Sequence, residues 1–210
     1  MIFKQVFQHV LSVEAAIAGV VFVLVLAGLV IAVVRRRAGA GREPSSRSKR
    51  NGLEWAYVVL LAAVAGFLVY FTATANAKEH QAAGPNAAHV AVSAYRWCWR
   101  FSYPGQSVSV NGECTSGRYP TMVVPTGRPI RITLTSQDVI HSFWVPGLAV
   151  KIDTYPDHTN TLTLDFARPG RWLGRCAEFC GTYHTTMDFY LRAVSPNQYR
   201  QWLQQHGGAA

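Results

Sequence analysis

Two long runs of uncharged, mostly aliphatic residues constrain this chain more than any other feature of its sequence. Residues 15–34 and 55–77 form runs of 20 and 23 residues without Asp, Glu, Lys or Arg. About 20 apolar residues are enough for a helix to cross the hydrocarbon core of a bilayer. We therefore predict two membrane spans, over about 13–34 and 54–75. A cleaved signal peptide is the alternative for the first run, but its length and the three arginines that follow it favour a retained span.

A short basic segment separates the two runs and supplies most of the charge of the chain. The formal net charge is +9, and residues 35–50 hold seven basic residues and one acidic residue, a net of +6. Basic loops between membrane spans stay in the cytoplasm. We predict that residues 1–75 form a transmembrane hairpin with a cytoplasmic loop over 35–52. The N-terminus and the remainder of the chain would then be extracytoplasmic, and this placement of the charge argues against nucleic acid as a partner.

Beyond the second span the sequence takes on the character of an exported β domain. Residues 76–88 are small and polar with a Gly-Pro break, which predicts a linker. Short segments rich in Val, Thr and aromatic residues, separated by Gly and Pro, predict an all-β sandwich or barrel over 89–195. The predicted strands are 90–101, 107–110, 121–125, 129–135, 159–166 and 187–194. Ser195 followed by proline predicts a closing helix to about residue 205, in a C-terminal helix and tail over 196–210.

The segment 176–187 concentrates residues that bind soft metals. Its sequence is Cys-Ala-Glu-Phe-Cys-Gly-Thr-Tyr-His-Thr-Thr-Met, which places Cys180 four residues after Cys176 and His184 four residues later, with Met187 at its end. A disulfide within the segment would leave the histidine and the methionine unexplained. Zinc takes thiolate and imidazole, but a thioether is a poor zinc ligand. Copper accepts thiolate and imidazole as strong ligands and methionine as a weak one, and two thiolates permit a two-metal site.

A two-metal site of this kind needs a second histidine from another part of the chain. His141 lies in Ile-His-Ser-Phe-Trp-Val-Pro at 140–146, which is 35 residues before Cys176. Taken alone, a histidine among apolar neighbours is more often a hydrogen-bonded core residue. Together with the cysteine segment, His141 becomes the predicted fourth strong ligand.

With these motifs the chain resembles subunit II of the haem–copper respiratory oxidases, in the cytochrome c oxidase form that carries a binuclear copper centre (CuA). The resemblance rests on the hairpin, the aromatic strand, His-Ser-Phe-Trp-Val-Pro, Lys-Ile-Asp at 151–153 and the cysteine segment. It implies a cupredoxin-like Greek-key barrel behind the two-helix transmembrane hairpin. The metal ligands that it implies are His141, Cys176, Glu178 through its backbone carbonyl, Cys180, His184 and Met187. The two cysteines would bridge two copper ions, and the Glu178 side chain would reach magnesium at the boundary with subunit I.

The resemblance also implies a function and a set of partners. The chain would be one subunit of a multisubunit oxidoreductase in the plasma membrane of a bacterium, beside subunit I and subunit III. Electrons would pass from cytochrome c to the dicopper centre and then to haem in subunit I, where oxygen is reduced to water with coupled proton translocation. Relatives that oxidise quinol have lost these copper ligands. Two alternatives stay open, namely a copper-bearing subunit of a haem–copper nitric oxide reductase and a membrane-anchored zinc-binding module.

An aromatic segment at 95–101, Tyr-Arg-Trp-Cys-Trp-Arg-Phe, resembles the part of the family that receives electrons. The resemblance implies that Trp97 accepts the electron from cytochrome c. In a single strand, alternation would place Trp97, Trp99 and Phe101 on one face, where aromatic residues usually pack against neighbouring strands. We therefore assign Trp97 to electron transfer and Trp99 to packing.

The charge around this segment departs from the family pattern, in which acidic patches dock a basic cytochrome c. From residue 76 onward the chain has 12 basic and 8 acidic residues, a net of +4, and Arg96 and Arg100 flank the tryptophans. Because complementary charge steers association, we expect a neutral, acidic or membrane-tethered cytochrome c domain as the donor.

Three further features carry open interpretations. Glu54 is either a helix-capping carboxylate at the membrane boundary or, as the resemblance implies, a group near the mouth of a proton channel into subunit I. Cys98 and Cys114 form either an exported disulfide or two buried thiols. Pro-Asp-His at 156–158 replaces the family's usual Pro-Gly-Arg, whereas Asp153 matches an aspartate at the boundary with subunit I.

Overall fold

Two long helices form the N-terminal part of the chain, and the computed structural model describes residues 2–38, 51–79, 84 and 86–207. The helices are α1 (Ile2–Ala38) and α2 (Asn51–Glu79). Within them, Phe7–Arg37 and Glu54–Ala75 are long and apolar enough to cross a membrane, and their apolar side chains are exposed. Apolar surface of this extent requires an apolar surrounding, so the predicted membrane spans agree with the helices observed.

Two contacts between the helices lie near the start of α1 and the end of α2. The Thr72 hydroxyl donates a hydrogen bond to the Glu14 carboxylate (3.1 Å), and the rings of His9 and Phe71 lie 6.0 Å apart. These contacts join the early part of α1 to the late part of α2, as an antiparallel hairpin requires. Most of the predicted basic loop, and residues 80–83 and 85 of the predicted linker, lie outside the described residues. The predicted linker begins within α2.

The rest of the described chain forms a β domain of two five-stranded sheets. The strands are β1 (Ala88–Tyr95), β2 (Cys98–Tyr103), β3 (Val108–Asn111), β4 (Thr121–Pro125), β5 (Ile130–Ser136), β6 (His141–Val145), β7 (Val150–Thr154), β8 (Asn160–Leu164), β9 (Gly170–Cys176) and β10 (Asp188–Val194). The order in the first sheet is β3-β2-β1-β5-β8, and the order in the second is β4-β10-β9-β6-β7. The β1–β5 and β10–β4 pairs are parallel, and the other pairs are antiparallel.

One aromatic core joins the two sheets. The ring of Trp99 on β2 meets those of Phe143 on β6 (5.9 Å) and Phe189 on β10 (5.2 Å), both edge to face. Phe143 and Phe189 stack on each other at 4.6 Å. All three side chains are fully buried. The predicted all-β domain is therefore confirmed, and Trp99 packs in its centre as expected.

The prediction of a single strand over 90–101 is wrong. The segment forms β1 and β2, which pair antiparallel so that Tyr95 lies opposite Cys98 and a tight turn holds Arg96 and Trp97. Trp97 therefore does not share a strand face with Trp99. The turn contains none of the residues that usually mark turns, so the aromatic alternation continues across it unbroken. The strands β6, β7 and β9 also lie outside the predicted strands.

The structure contains the predicted closing helix and the disulfide between the first two cysteines of the domain. Helix α3 (Pro196–His206) begins at Ser195, whose hydroxyl accepts from the Gln198 amide in a capping box, as the sequence indicates. Cys98 and Cys114 form a disulfide with a Cα–Cα distance of 5.2 Å. A cross-link across 16 residues stabilises a fold by about 3 kcal/mol in the chain-entropy model.

Candidate metal centre

Three strands of the second sheet end or begin at one place and bring the predicted ligands together. Strand β6 begins at His141, β9 ends at Cys176, and β10 begins directly after Met187. Because β9 lies between β6 and β10, with Cys176 opposite Phe143 and Arg175 opposite Asp188, these termini share one edge of the sheet. The connection from β9 to β10 loops over that edge and carries the remaining ligands.

Sulfur and imidazole atoms converge in this loop. The Nδ1 atom of His141 lies 3.8 Å from the Cys176 Sγ atom, and the Nδ1 atom of His184 lies 3.6 Å from the Cys180 Sγ atom. The Met187 Sδ atom is 3.5 Å from the Cys180 Sγ atom. Donor atoms of His141, Cys176 and Cys180 all lie within 4.8 Å of one another, and the three residues are buried. Each cysteine thus has its own histidine beside it.

Glu178 contributes to the site through its backbone. Its carbonyl oxygen accepts a hydrogen bond from the Cys176 thiol at 3.2 Å. The residue is otherwise exposed, so its side chain is free to contact another molecule. The resemblance assigns the Glu178 carbonyl to copper and its carboxylate to magnesium, and both roles stay predictions.

The protonation of the site favours exchange of protons for a metal ion. Burial, together with the neighbouring Cys176, raises the pKa of the Cys180 thiol to about 12. Burial also lowers the pKa of His141, partly offset by Asp138. The thiol and the imidazole are therefore neutral at neutral pH without metal. Soft metal ions replace thiol protons on binding, and neutral imidazole is the form that binds them. Two thiols, two imidazoles and a thioether suit copper.

Asp138 is a functional residue that the sequence reasoning missed. Its carboxylate accepts hydrogen bonds from the His141 Nε2 atom (2.9 Å) and from the backbone amides of Val139 (2.6 Å) and Arg96 (2.7 Å). Although burial alone would raise the pKa of Asp138, these hydrogen bonds hold it below its usual value. The contact orients the ring so that Nδ1 faces Cys176, as carboxylates behind metal-binding histidines do. A carboxylate three residues before the histidine was the available signal.

Replacing Asp138 with asparagine is expected to weaken copper binding by about 10- to 100-fold, because an amide holds the His141 ring less firmly in its binding orientation. Competition with a chelator of known copper affinity measures the change. Asp157→Asn is the matched control, since Asp157 is exposed and pairs only with His158 among the described residues. Equal affinities for wild type and Asp138→Asn would contradict the assignment.

Trp97 lies directly against the metal loop. Its indole Nε1 atom donates to the Cys180 carbonyl at 3.1 Å, and its ring meets Tyr183 edge to face at 5.0 Å. Gly181 has a φ of +119°, and a Cβ atom there would lie 3.2 Å from the Trp97 Nε1 atom. Only glycine combines this backbone conformation with so close an approach. Trp99 also reaches the loop, since its buried indole donates to the Met187 carbonyl at 3.1 Å.

The structure shows the local surroundings of three other predicted positions. Glu54 is exposed in the first turn of α2, and its proton-channel role stays a prediction. Asp153, on β7, lies opposite Ser142 of β6 and forms an ion pair with Lys151 at 3.2 Å. His158 is exposed and stacks on Tyr155 at 4.3 Å.

A cleft borders the centre beside His184. It has a volume of about 390 Å³, and its lining includes Trp144, Arg175, Cys176 and His184. Arg175 forms an ion pair with Asp188 across the strand pair at 3.7 Å. Cys176 and His184 are therefore the predicted ligands that face this cleft.

Comparison with known proteins agrees with this geometry. Residues 89–194 match the family described as cytochrome c oxidase subunit II, periplasmic domain. The cytochrome c oxidase subunit 2 of Alkalihalophilus pseudofirmus is 30% identical over 197 residues, which are 91% of this chain and 55% of that protein. A probable cytochrome c oxidase subunit 2 of Streptomyces avermitilis is 31% identical over 81% of this chain and 65% of its own length. The chain thus spans a little over half of these relatives.

Solved structures show the same β domain. The periplasmic domain of subunit II of the cytochrome oxidase of Bradyrhizobium japonicum matches 59% of this chain and 96% of its own, with a TM-score of 0.53 and 28% identity. A mixed-disulfide intermediate between that subunit's domain and a thioredoxin-like protein matches with a TM-score of 0.51 and 27% identity. The likeness covers the β domain that holds the metal centre.

Proposed function

The chain belongs to the cytochrome c oxidase subunit II family, and from this we propose that it is the electron-accepting subunit of a membrane-bound terminal oxidase. It would take electrons from cytochrome c and deliver them to haem in subunit I, where oxygen is reduced to water with proton translocation. The observation that carries the proposal is the convergence of His141, Cys176 and Cys180 at one buried point, with His184 and Met187 beside Cys180.

The residues present fit a dicopper centre. We assign its ligands to both cysteines, both histidines, Met187 and the Glu178 carbonyl. Copper bound there would supply one-electron redox chemistry with little change in ligand geometry. The protein's own residues exclude water, since only 5% of each cysteine is exposed. They also fix the ligand orientation through the Asp138 contact to His141.

Trp97 is the proposed electron port, meaning the surface group through which the donor's electron passes. It is partly exposed while its indole is hydrogen bonded to the residue that supplies a thiolate. A donor in contact with Trp97 is therefore connected to the centre by one aromatic ring and one hydrogen bond. The cleft on the His184 side gives a separate route out, toward subunit I.

The surroundings of the port define the donor more closely. Arg96 pairs with Asp138 at 3.7 Å, so its charge is largely balanced, whereas Arg100 contacts the neutral Asn111. Large apolar residues in the metal-binding segments are unusually exposed, with Ile140 at 42% and Phe179 at 79%. We infer a donor that docks mainly through apolar contact and that is neutral, acidic or tethered to the membrane.

Reduction of the copper-loaded chain by a neutral cytochrome c is expected to change by less than about threefold between low and physiological ionic strength, whereas charge-steered pairs lose about tenfold or more. Stopped-flow mixing over a salt series measures the rate. A basic cytochrome c serves as the comparison and should react more slowly, because Arg100 repels it. Fast reduction by the basic protein, falling steeply with salt, would contradict the inferred donor.

The remaining assignments concern the membrane and the neighbouring subunits. We propose that α1 and α2 anchor the chain in the plasma membrane of a bacterium, with the β domain outside. The exposed Glu178 side chain is the proposed ligand of magnesium at the subunit I boundary, and Glu54 the proposed proton-channel group. Subunit III completes the expected complex.

Metal analysis of the purified chain tests the proposal against its zinc-binding alternative. We expect about two copper ions for each chain and the visible absorption of copper–thiolate bonds, because the donor set is soft. The absorption should bleach when a cytochrome c donor reduces the site. A colourless protein that retains zinc and is not reduced by the donor would overturn the proposal.

A further inference from the structure

The turn that carries Trp97 is held by two sets of contacts. The first set joins it to the segments that carry the metal ligands, through the hydrogen bonds from the Arg96 amide to Asp138 (2.7 Å) and from the Trp97 indole to the Cys180 carbonyl (3.1 Å). The second set involves a loop, residues 112–118, that contains none of the assigned metal ligands. The function proposed above assigns no role to this second set.

The 112–118 loop contacts the residues on either side of the turn. Cys98, which directly follows Trp97, is joined by the disulfide to Cys114. The Tyr95 hydroxyl, just before the turn, donates to the Gly112 carbonyl at 3.4 Å. Space is minimal here, since a Cβ atom on Gly112 would lie 2.9 Å from the Cys98 Sγ atom. The loop therefore reaches both ends of the two-residue turn.

The loop keeps its shape by its own contacts. The backbone of Glu113 exchanges hydrogen bonds with that of Arg118, and their side chains form an ion pair. A short 3-10 helix over Cys114–Ser116 ends at Gly117, whose φ of +77° closes the loop. The Cys114 Sγ atom also lies 3.4 Å from the carbonyl oxygen of Asp188, the residue after Met187. The loop is thus stabilised by its own hydrogen bonds and ion pair, and it contacts the strand that follows Met187.

We propose that the 112–118 loop and its disulfide form a clasp that holds Trp97 against the Cys180 carbonyl, with or without bound metal. Anchoring the residues on both sides of a two-residue turn removes most of its conformational freedom in advance. Electron transfer from a transient donor is faster when Trp97 already has its working position, because no time in the encounter is spent on ordering the ring. The proposal rests on the proposed function, because a fixed Trp97 matters only if electrons pass through it.

The two indole N–H groups at the centre allow a direct test. Trp97 and Trp99 each donate to a backbone carbonyl of the metal segment, but only Trp97 lies in the clasped turn. In the full chain in detergent, with ¹⁵N-labelled indoles and no metal, Cys98→Ala/Cys114→Ala should speed solvent exchange of the Trp97 indole by about tenfold through local opening, with Trp99 much less affected. NMR measures both rates in one sample.

A control separates local opening from general loss of stability. Leu164→Ala removes a buried side chain from β8, which lies at the opposite edge of the first sheet from β3. It should leave the ratio of the two indole exchange rates unchanged. Equal acceleration of both indoles in the disulfide variant, or no acceleration of Trp97, would overturn the clasp. Should that variant not fold, Tyr95→Phe loosens the same grip with the disulfide intact and should shift the ratio in the same direction.

Electron transfer provides the second readout. The copper-loaded disulfide variant should keep its copper content and visible spectrum, while its reduction by a donor slows by about tenfold because the port is no longer pre-positioned. A lost copper spectrum would show that the disulfide supports the metal segment instead and would overturn the proposal. A separate variant tests the port. If electrons do not enter through Trp97, Trp97→Phe leaves the rate of reduction by the donor unchanged, and the indole exchange rates still test the clasp.

Discussion

Replacing Cys176 and Cys180 together with serine is expected to bring the copper content of the chain close to zero. The two sulfur atoms share a site with both histidines, and no other sulfur except that of Met187 is within bonding reach among the described residues. Hydroxyl groups do not replace thiolates as ligands for a soft metal ion. In zinc-finger peptides, thiolate and imidazole ligands together supply about 10–16 kcal/mol of metal-binding free energy, so the loss of both thiolates should remove a large part of the affinity.

The fold should survive this change, which makes the loss of copper interpretable. Serine has nearly the shape of cysteine, and the aromatic core around Trp99 does not depend on either sulfur atom. We expect circular dichroism to be unchanged, copper analysis to find almost no metal, and donor reduction of the chain to be abolished. The Cys98→Ala/Cys114→Ala variant removes the same number of cysteines and is the control. Retention of two copper ions without Cys176 and Cys180 would contradict the assigned centre.

Local spacing explains why the metal segment could be predicted. Cys176, Cys180, His184 and Met187 lie within one short stretch, so their donor atoms come together through the local course of the loop alone. His141 required more, because its place beside Cys176 depends on the pairing of β6 with β9. The family resemblance supplied that step, since the pattern around His141 alone also suits an ordinary core residue.

The β1–β2 turn shows where pattern reasoning failed. The alternating aromatic residues at 95–101 suggest a continuous strand, and no Gly, Pro, Asn or Asp interrupts them. Long-range contacts fix the turn instead, from Asp138, Cys180 and Cys114. Those partners lie between 16 and 83 residues away in the chain. A local pattern cannot contain that information.

The disulfide depended on a register that the sequence left uncertain. Folding about Pro104 and Gly105 suggests that Cys98 lies opposite Asn111, whereas the observed pairing places Arg100 opposite Asn111. Cys98 therefore lies two residues farther along, beyond the end of β3 and next to the loop that holds Cys114. A shift of this size in a hairpin decides whether two cysteines meet. Asp138 is a different case, because it lies only three residues before its partner His141 and the local sequence could have identified it.

Replacing Trp97 with phenylalanine is expected to slow reduction of the copper centre by a cytochrome c donor on the order of 10²-fold, because the ring no longer holds its position on the metal segment. Phenylalanine keeps an aromatic ring in the turn but has no N–H to donate to the Cys180 carbonyl. No copper ligand changes, so copper content and the visible spectrum should stay as in the wild type. Stopped-flow reduction, with copper analysis on the same samples, measures the effect.

Trp99→Phe is the informative counterpart, because it removes the other indole hydrogen bond to the metal segment. Trp99 is fully buried and donates to the Met187 carbonyl, which also accepts from the Cys176 amide (3.0 Å), so its loss removes one of two hydrogen bonds to that carbonyl, at a cost of about 0.5–1.5 kcal/mol. We expect this variant to lose stability, with donor reduction affected only as far as the copper spectrum changes. A selective loss of electron transfer in Trp97→Phe alone would distinguish a port from a packing residue. If both variants reduced at the wild-type rate, electrons would have to reach the centre by another route, and the cleft beside His184 is the one that the structure offers.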